Sequence, residues 1–152
     1  MPPAPPRPPA ELSGAELRRR RPLWVALSEL WLDQELSPAD LRRVARVAAA
    51  CGYDDAEVEA IFWGEVAPVV AGNLLAPVGV WSGFDEDWLC ERAARSAAYR
   101  SRPSLTRWLT RLWAGRLVER EWKHLLALLP VARAERQAGH PAPGGWPEES
   151  SE

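Results

Sequence analysis

The sequence predicts an all-α protein: a single compact bundle of about six to seven short helices, flanked by a proline-rich N-terminal arm and an acidic C-terminal tail. Three observations carry this expectation. Apolar residues recur at helical intervals, and no segment shows the strict alternation of a strand. Four helix starts repeat one pattern, in which an apolar residue precedes a capping residue and a second apolar residue follows five positions after the first. Residues 66–84 contain no charged side chain, so they belong in a core. Pro68, Gly72, Pro77, Gly79 and Gly83 interrupt that stretch too often for a membrane helix.

The elements follow in order. Residues 1–12 form a disordered proline-rich arm, with prolines at 2, 3, 5, 6, 8 and 9 favouring an extended, solvated backbone. Leu12 and Ser13, with Glu16 and Leu17, open the first helix. Pro22 is expected to end it, because proline disfavours helical geometry at the preceding Arg21. Leu23, Trp24, Leu27, Leu30 and Trp31 then share one helical face. Leu36, Ser37 and Pro38, with Asp40 and Leu41, open the next helix with proline at its first position and a capping box. Leu41, Val44, Ala45, Val47 and Ala48 form its stripe, and Gly52 is a left-handed cap.

Tyr53 and Asp54, with Glu57 and Val58, mark the third start. A short helix over residues 65–75, with Pro68 in its first turn, and an ordered loop over 76–83 account for the uncharged stretch. Phe84 and Asp85, with Leu89, mark the fourth start, where Glu86 and Asp87 place negative charge at the positive end of the helix dipole. Leu105, Trp108, Leu109, Leu112 and Trp113 form a stripe that stops near Gly115. Trp122, Leu125, Leu126 and Leu129 form another, with Pro130 bending or ending its helix. The helical domain spans 13–138, and residues 139–152 are expected to be a disordered tail containing a solitary Trp146.

Nine tryptophans occur in 152 residues. Trp24, Trp31, Trp63, Trp88, Trp108, Trp113 and Trp122 lie on or beside apolar stripes and are expected in the core. Trp81, in a glycine-bracketed turn, is either a plug over the core or a binding anchor. The two cysteines, Cys51 and Cys90, lack the close spacing of a metal or redox motif and are read as reduced thiols. No signal peptide or membrane anchor is evident, so the expected location is the cytoplasm.

Several blocks together resemble a family of small bacterial proteins of uncharacterised function. They are Leu23-Trp24-Val25-Ala26-Leu27-Ser28-Glu29-Leu30-Trp31-Leu32-Asp33, then Glu65-Val66-Ala67-Pro68 with Asn73-Leu74-Leu75, then Gly79-Val80-Trp81-Ser82-Gly83-Phe84-Asp85 with Trp88-Leu89. The resemblance covers about residues 20–95 and extends more weakly to Trp122. It implies a bacterial cytosolic domain and brings no catalytic residues with it.

Charge is strongly segregated along the chain. Residues 33–91 carry twelve acidic and three basic side chains, a net of −9, whereas residues 92–140 carry three acidic and eleven basic, a net of +8. Either the two segments face one another, or one of them presents a surface to a partner. The functional expectation is a non-catalytic protein-binding domain, similar in profile to immunity or antitoxin proteins. Asp54, Asp55, Glu57, Asp85, Glu86 and Asp87, with Trp81, would contact a basic partner protein.

The alternative is nucleic-acid association through Arg18, Arg19, Arg20, Arg21 and the arginines of residues 92–120. A net charge of −2 and the absence of a reader motif count against it. A third possibility is a carboxylate-based enzyme using Asp55, Glu59 and Glu65. Neither His124 nor His140 has the neighbours of a metal site, and no phosphate loop or nucleophile elbow occurs, so no cofactor is expected. Glu65 is expected to be half-buried and to need a basic partner, for which an arginine from residues 92–140 is the expected choice.

Overall fold

A computed structural model of the protein describes residues 11–32, 36–74, 85–99 and 105–139, with only the backbone at 73, 74 and 106. All regular structure among those residues is helical, without a strand. Helix α1 (Gly14–Ser28) passes into a 3-10 turn, Glu29–Trp31; α2 is Pro38–Cys51. Then α3 (Asp55–Ile61), a π-helical segment Phe62–Val66 and α4 (Ala67–Leu74) form one continuous run, followed by α5 (Glu86–Ala98) and the 33-residue α6 (Leu105–Gln137). Helix α6 lies along α2, which packs on α1, while α5 sits beside α1 and the π segment.

The four predicted starts are the observed ones. The Ser13 hydroxyl accepts from the Glu16 N–H at 3.2 Å, and the carboxylates of Asp54 and Asp85 accept from the N–H groups of Glu57 and Trp88 at 2.8 Å. Ser37 and Asp40 complete a reciprocal capping box. Gly52 closes α2 at φ 75°, where a side chain would be strained. The stapling pairs Leu12 with Leu17 and Leu36 with Leu41 pack against the core, and Tyr53 and Val58 are buried. Phe84, the staple partner of Leu89, lies outside the described residues, as do Trp81, Trp146 and both terminal segments.

Three predicted boundaries differ. Pro22 does not end α1, which continues to Ser28. Both Pro22 and Arg18, whose carbonyl loses its hydrogen bond, are exposed, so water replaces the missing donor. On the opposite face Arg20, Leu23, Trp24 and Leu27 are buried on both sides of the proline and hold the helix together. Residue 65 does not start a new helix; the chain widens into a π turn instead, in which the Ala67 N–H reaches the Phe62 carbonyl. Pro68 follows directly, where the backbone returns to α geometry. Finally, α6 runs through both Gly115 and Pro130. Pro130 is exposed like Pro22, while Leu125, Leu129 and Ala132 anchor the helix around it.

The core forms where these elements meet. Trp24, Leu27, Val44, Val58, Ile61, Phe62, Val66 and Val70 are almost fully buried, with Leu125 and Leu129 of α6. The uncharged stretch contributes Val66, Ala67, Val70 and Ala71 to this interior, although Gly72 is exposed and residues 75–84 are not described. The tryptophans divide. Trp24, Trp31 and Trp122 are buried and Trp63 and Trp88 half-buried, but Trp108 and Trp113 are 59% and 54% exposed. The core-facing seam of α6 is instead Ala114, Val118, Trp122, Leu125, Leu129 and Ala132. At 100° per residue the predicted stripe of Leu105, Leu109 and Leu112 points about 150° away from that seam.

An aromatic cluster joins the π segment to α6 and the 3-10 turn. Phe62 stacks on Trp122 with ring centroids 4.3 Å apart and planes 4° from parallel, and Trp31 stacks on the other side of Phe62 at 5.7 Å. Trp63 meets Phe62 edge-on at 4.7 Å. Removing either member of the tightest pair, by Phe62→Ala or Trp122→Ala, is expected to cost about 3–5 kcal/mol in urea unfolding. The double change should cost about 0.5–1.5 kcal/mol less than the sum, since the stacking contact is lost only once.

Candidate functional site

Two features outside the plain apolar core stand out: an ionic network beneath the π segment, and the exposed face of α6 with the groove beside it. The network begins at Glu65, which the π turn directs inward and which is fully buried. Its carboxylate accepts from the Arg20 guanidinium and, at 2.7 Å, from the Trp24 indole N–H. Arg20 also donates through Nε to Glu16 at 3.0 Å, and the Tyr53 hydroxyl donates to Glu16 at 2.8 Å. The predicted arginine partner is thus real, but it comes from the N-terminal arginine run rather than from residues 92–140. Spacing explains the choice: Arg20 and Trp24 are one turn apart on the same face of α1, so one helix supplies both donors.

The network fixes protonation states. Burial alone would lower the Arg20 pKa, but the Glu65 carboxylate and the Tyr53 and Glu16 hydrogen bonds raise it above its ordinary value. The Tyr53 hydroxyl bond, seconded by Arg20 and Arg19 and opposed by burial, holds Glu16 below the usual carboxylate range. Burial first, and the Glu16 bond second, push the Tyr53 phenol up. Burial likewise raises the Cys51 and Cys90 thiols, which keeps them in the unreactive thiol form.

Of the predicted partner surface, Asp54 and Asp85 cap α3 and α5. Asp55 pairs with Arg133 of α6, while Glu86 and Asp87 both pair with Arg21 of α1. Glu57 is partly exposed in the first turn of α3. These residues belong to two helix starts, and α1 reaches toward both. Arg19 donates to the Cys51 and Gly52 carbonyls ahead of α3, and Arg21 reaches the start of α5. Three of the four residues in the arginine run are therefore committed within the fold. Asp55, Glu59 and Glu65 do not converge on a metal. Asp55 and Glu59 pair separately with Arg133 and Arg111, and the described residues contain no cluster of potential ligands.

The exposed face of α6 was missed as a site because its spacing is that of an ordinary buried stripe. Leu105, Trp108, Leu109, Leu112, Trp113 and Leu117 are each between 50% and 71% exposed. Together they present on the order of 600 Å² of apolar surface, with an aromatic side chain taken at about 150–250 Å². Beside them an open groove of about 490 Å³ is lined by Trp63, Trp108, Arg111, Leu112, Gly115, Arg116 and Glu119. Arg111 lies 5.5 Å from the centre of the Trp63 ring and pairs with Glu59 at 2.9 Å, which fixes one wall.

A family described as a domain of unknown function, DUF7079, matches residues 18–128. The chain belongs to that family. The matched span includes Arg20, Trp24, Tyr53 and Glu65 of the ionic network, with Glu16 just outside it, and the exposed α6 stripe. No curated protein and no solved structure matches the chain.

Two predictions follow from the network. Glu65→Ala leaves the Trp24 N–H without its acceptor and the buried Arg20 guanidinium with Glu16 alone, and should destabilise by about 3–5 kcal/mol in denaturant unfolding. Adding Arg20→Met should recover part of that loss, because the under-compensated charge is then gone. The second concerns pH. The folded pKa of Glu16 lies below its ordinary 4.5, so its contribution is complete above that value and is lost as pH falls through the lowered folded value. Melting temperature should therefore drop on acidification below about pH 4.5, and less steeply in Tyr53→Phe, which removes the main cause of the shift.

Proposed function

We propose that this DUF7079 domain is a non-catalytic protein-binding domain whose principal contact is the exposed apolar face of α6. One observation supports the reading most. About 600 Å² of exposed apolar surface on one helix face lies at the top of the range for the largest patch on a monomeric protein, and such patches mark interaction sites. Two tryptophans and a neighbouring arginine match the side chains that dominate binding energy at interfaces. The paired carboxylates and inert thiols offer no acid–base couple or activated nucleophile among the described residues. In this reading the domain acts in the bacterial cytoplasm, as immunity and antitoxin-like proteins do.

A second contact, to a basic partner region, is favoured at the start of α5. There Asp87 remains 87% exposed although it pairs with Arg21. No helix among the described residues is long and apolar enough to cross a membrane, which accords with a partner other than the bilayer interior. Arg19, Arg20 and Arg21 are held by Glu16, Glu65, Glu86 and Asp87, which weakens the nucleic-acid alternative.

The double change Trp108→Ala with Trp113→Ala tests the proposal. Stability should stay within about 0.5 kcal/mol per site, as for surface changes. A photo-reactive residue in place of Leu109 should give a defined covalent adduct in the producing cell, and the double change should abolish it. Absence of any adduct with the unaltered tryptophans would overturn the reading.

A further inference from the structure

The charge that follows the apolar stripe along α6 specifies its partner more closely. Past Trp113 the same outward line continues as Arg116, Arg120 and Lys123, all exposed. They lie within about 60° of one another at 100° per residue, in line with Leu105, Leu109 and Leu112. Among the described residues Arg120 pairs with the half-buried Glu121 at 3.3 Å and Lys123 with the exposed Glu119 at 2.7 Å, and each cation remains 69% exposed. Such pairs exchange readily for a better-placed carboxylate, because exposed pairs contribute little. The outward face of α6 is thus apolar and aromatic over three turns, and over the next two it carries three cations, Arg116, Arg120 and Lys123, against the single exposed acid Glu119.

We infer that this face receives an amphipathic helix of another protein whose apolar residues cover Leu105–Trp113 and whose carboxylates meet Arg116, Arg120 and Lys123. This rests on the protein-binding reading above and names the chemistry of the partner. Charge decides against a second copy of the chain. Parallel pairing of two α6 faces sets Arg116, Arg120 and Lys123 against themselves, and antiparallel pairing sets that basic line against an apolar end with no acid to receive it. Shape decides against a lipid surface. The groove walled by Trp63, Trp108, Arg111 and Leu112 is concave beside the stripe and suits one inserted side chain, as when a helix docks by anchors spaced three and four residues apart. The available area, on the order of 600 Å² before the basic turns are added, approaches the roughly 800 Å² per partner of a standard interface.

The test uses the full chain and two labelled helical peptides of about 20 residues. Both carry Leu at helical spacing on one half of a face; the other half of that face carries Glu in one peptide and Lys in its counterpart. By fluorescence anisotropy the Glu peptide should bind at least roughly tenfold more tightly than the Lys peptide, and a rise from about 50 to 300 mM salt should narrow the difference. Changing Arg116, Arg120 and Lys123 together to Glu should invert the preference. Trp108→Ala with Trp113→Ala should weaken both peptides about 30-fold, the hot-spot scale.

Equal binding of the two peptides would overturn the inference. So would a concentration-dependent dimer that Trp113→Ala dissolves, which makes the occupant a second copy. Binding to vesicles of anionic phospholipid without binding to either peptide would do the same, in favour of a membrane surface. In each case a persistent protein adduct at Leu109 would leave the protein-binding reading standing.

Discussion

The buried pair between Glu65 and Arg20 is the constraint on which the rest of the structure depends. A carboxylate with no solvent exposure is tolerated only when its charge and its lone pairs are answered, and the fold answers them from a single helix. That requirement accounts for the continuity of α1: if the helix broke at Arg21, Arg20 and Trp24 would no longer share a face, and the two donors could not meet the same carboxylate. The π turn answers a different need. In unbroken α geometry the buried Val66, Ala67, Val70 and Ala71 would face about 150° away from Val58, Ile61 and Phe62, and the extra residue in the π turn brings the two sets toward the same core.

The same arrangement resolves the uneven distribution of charge along the chain. The acidic middle segment is wrapped between two sources of arginine. Arg19, Arg20 and Arg21 lie on one side, and Arg111 and Arg133 of α6 lie on the other. Ion pairs thus join acids of the middle segment to arginines of both α1 and α6. On the outward line of α6, by contrast, Arg120 and Lys123 pair with Glu121 and Glu119 of their own helix.

Much of the local structure was legible in the sequence, since capping is short-range chemistry. Ser13, Ser37, Asp54 and Asp85 each act on a backbone N–H three residues away, and Gly52 acts on its own turn, so a reading of a few residues suffices. The need of Glu65 for an arginine was legible too, from its place in an apolar run. Which arginine could not be read, because the contact with Arg20 spans 45 positions and depends on how α1 is set against the π segment.

The failures have a common cause as well. Pro22 and Gly115 act as breakers only when nothing else holds the helix: packing on the face opposite Pro22 holds α1, and Ala114, Val118 and the neighbouring Trp63 hold α6 at Gly115, while at Pro130, where a bend or an end was expected, the helix does not end. The α6 stripe was misread because periodicity reveals that a face is apolar without revealing what covers it. Leu105 and Leu125 are equivalent in pattern and opposite in environment. Asp54, Asp55, Glu57, Asp85, Glu86 and Asp87 were identifiable as helix starts, whereas the arginines that meet Asp55, Glu86 and Asp87 lie far away in sequence and could not be read from it.

Helix α6 has one further property, which follows from where its seam begins. From Ala114 onward it is locked to the bundle by buried side chains, whereas among the described residues 105–113 none is buried, and contacts such as Arg107 to the Tyr99 carbonyl and Arg111 to Glu59 tie them to the body. Its two halves therefore differ in local opening free energy although they form one hydrogen-bonded rod. The first three turns can fray without disturbing the core, so their amides exchange with solvent long before those of the locked half. A ligand seated on the outer face would bear the cost of quieting that fraying, and its residence would be recorded as slowed exchange confined to the leading turns of one helix.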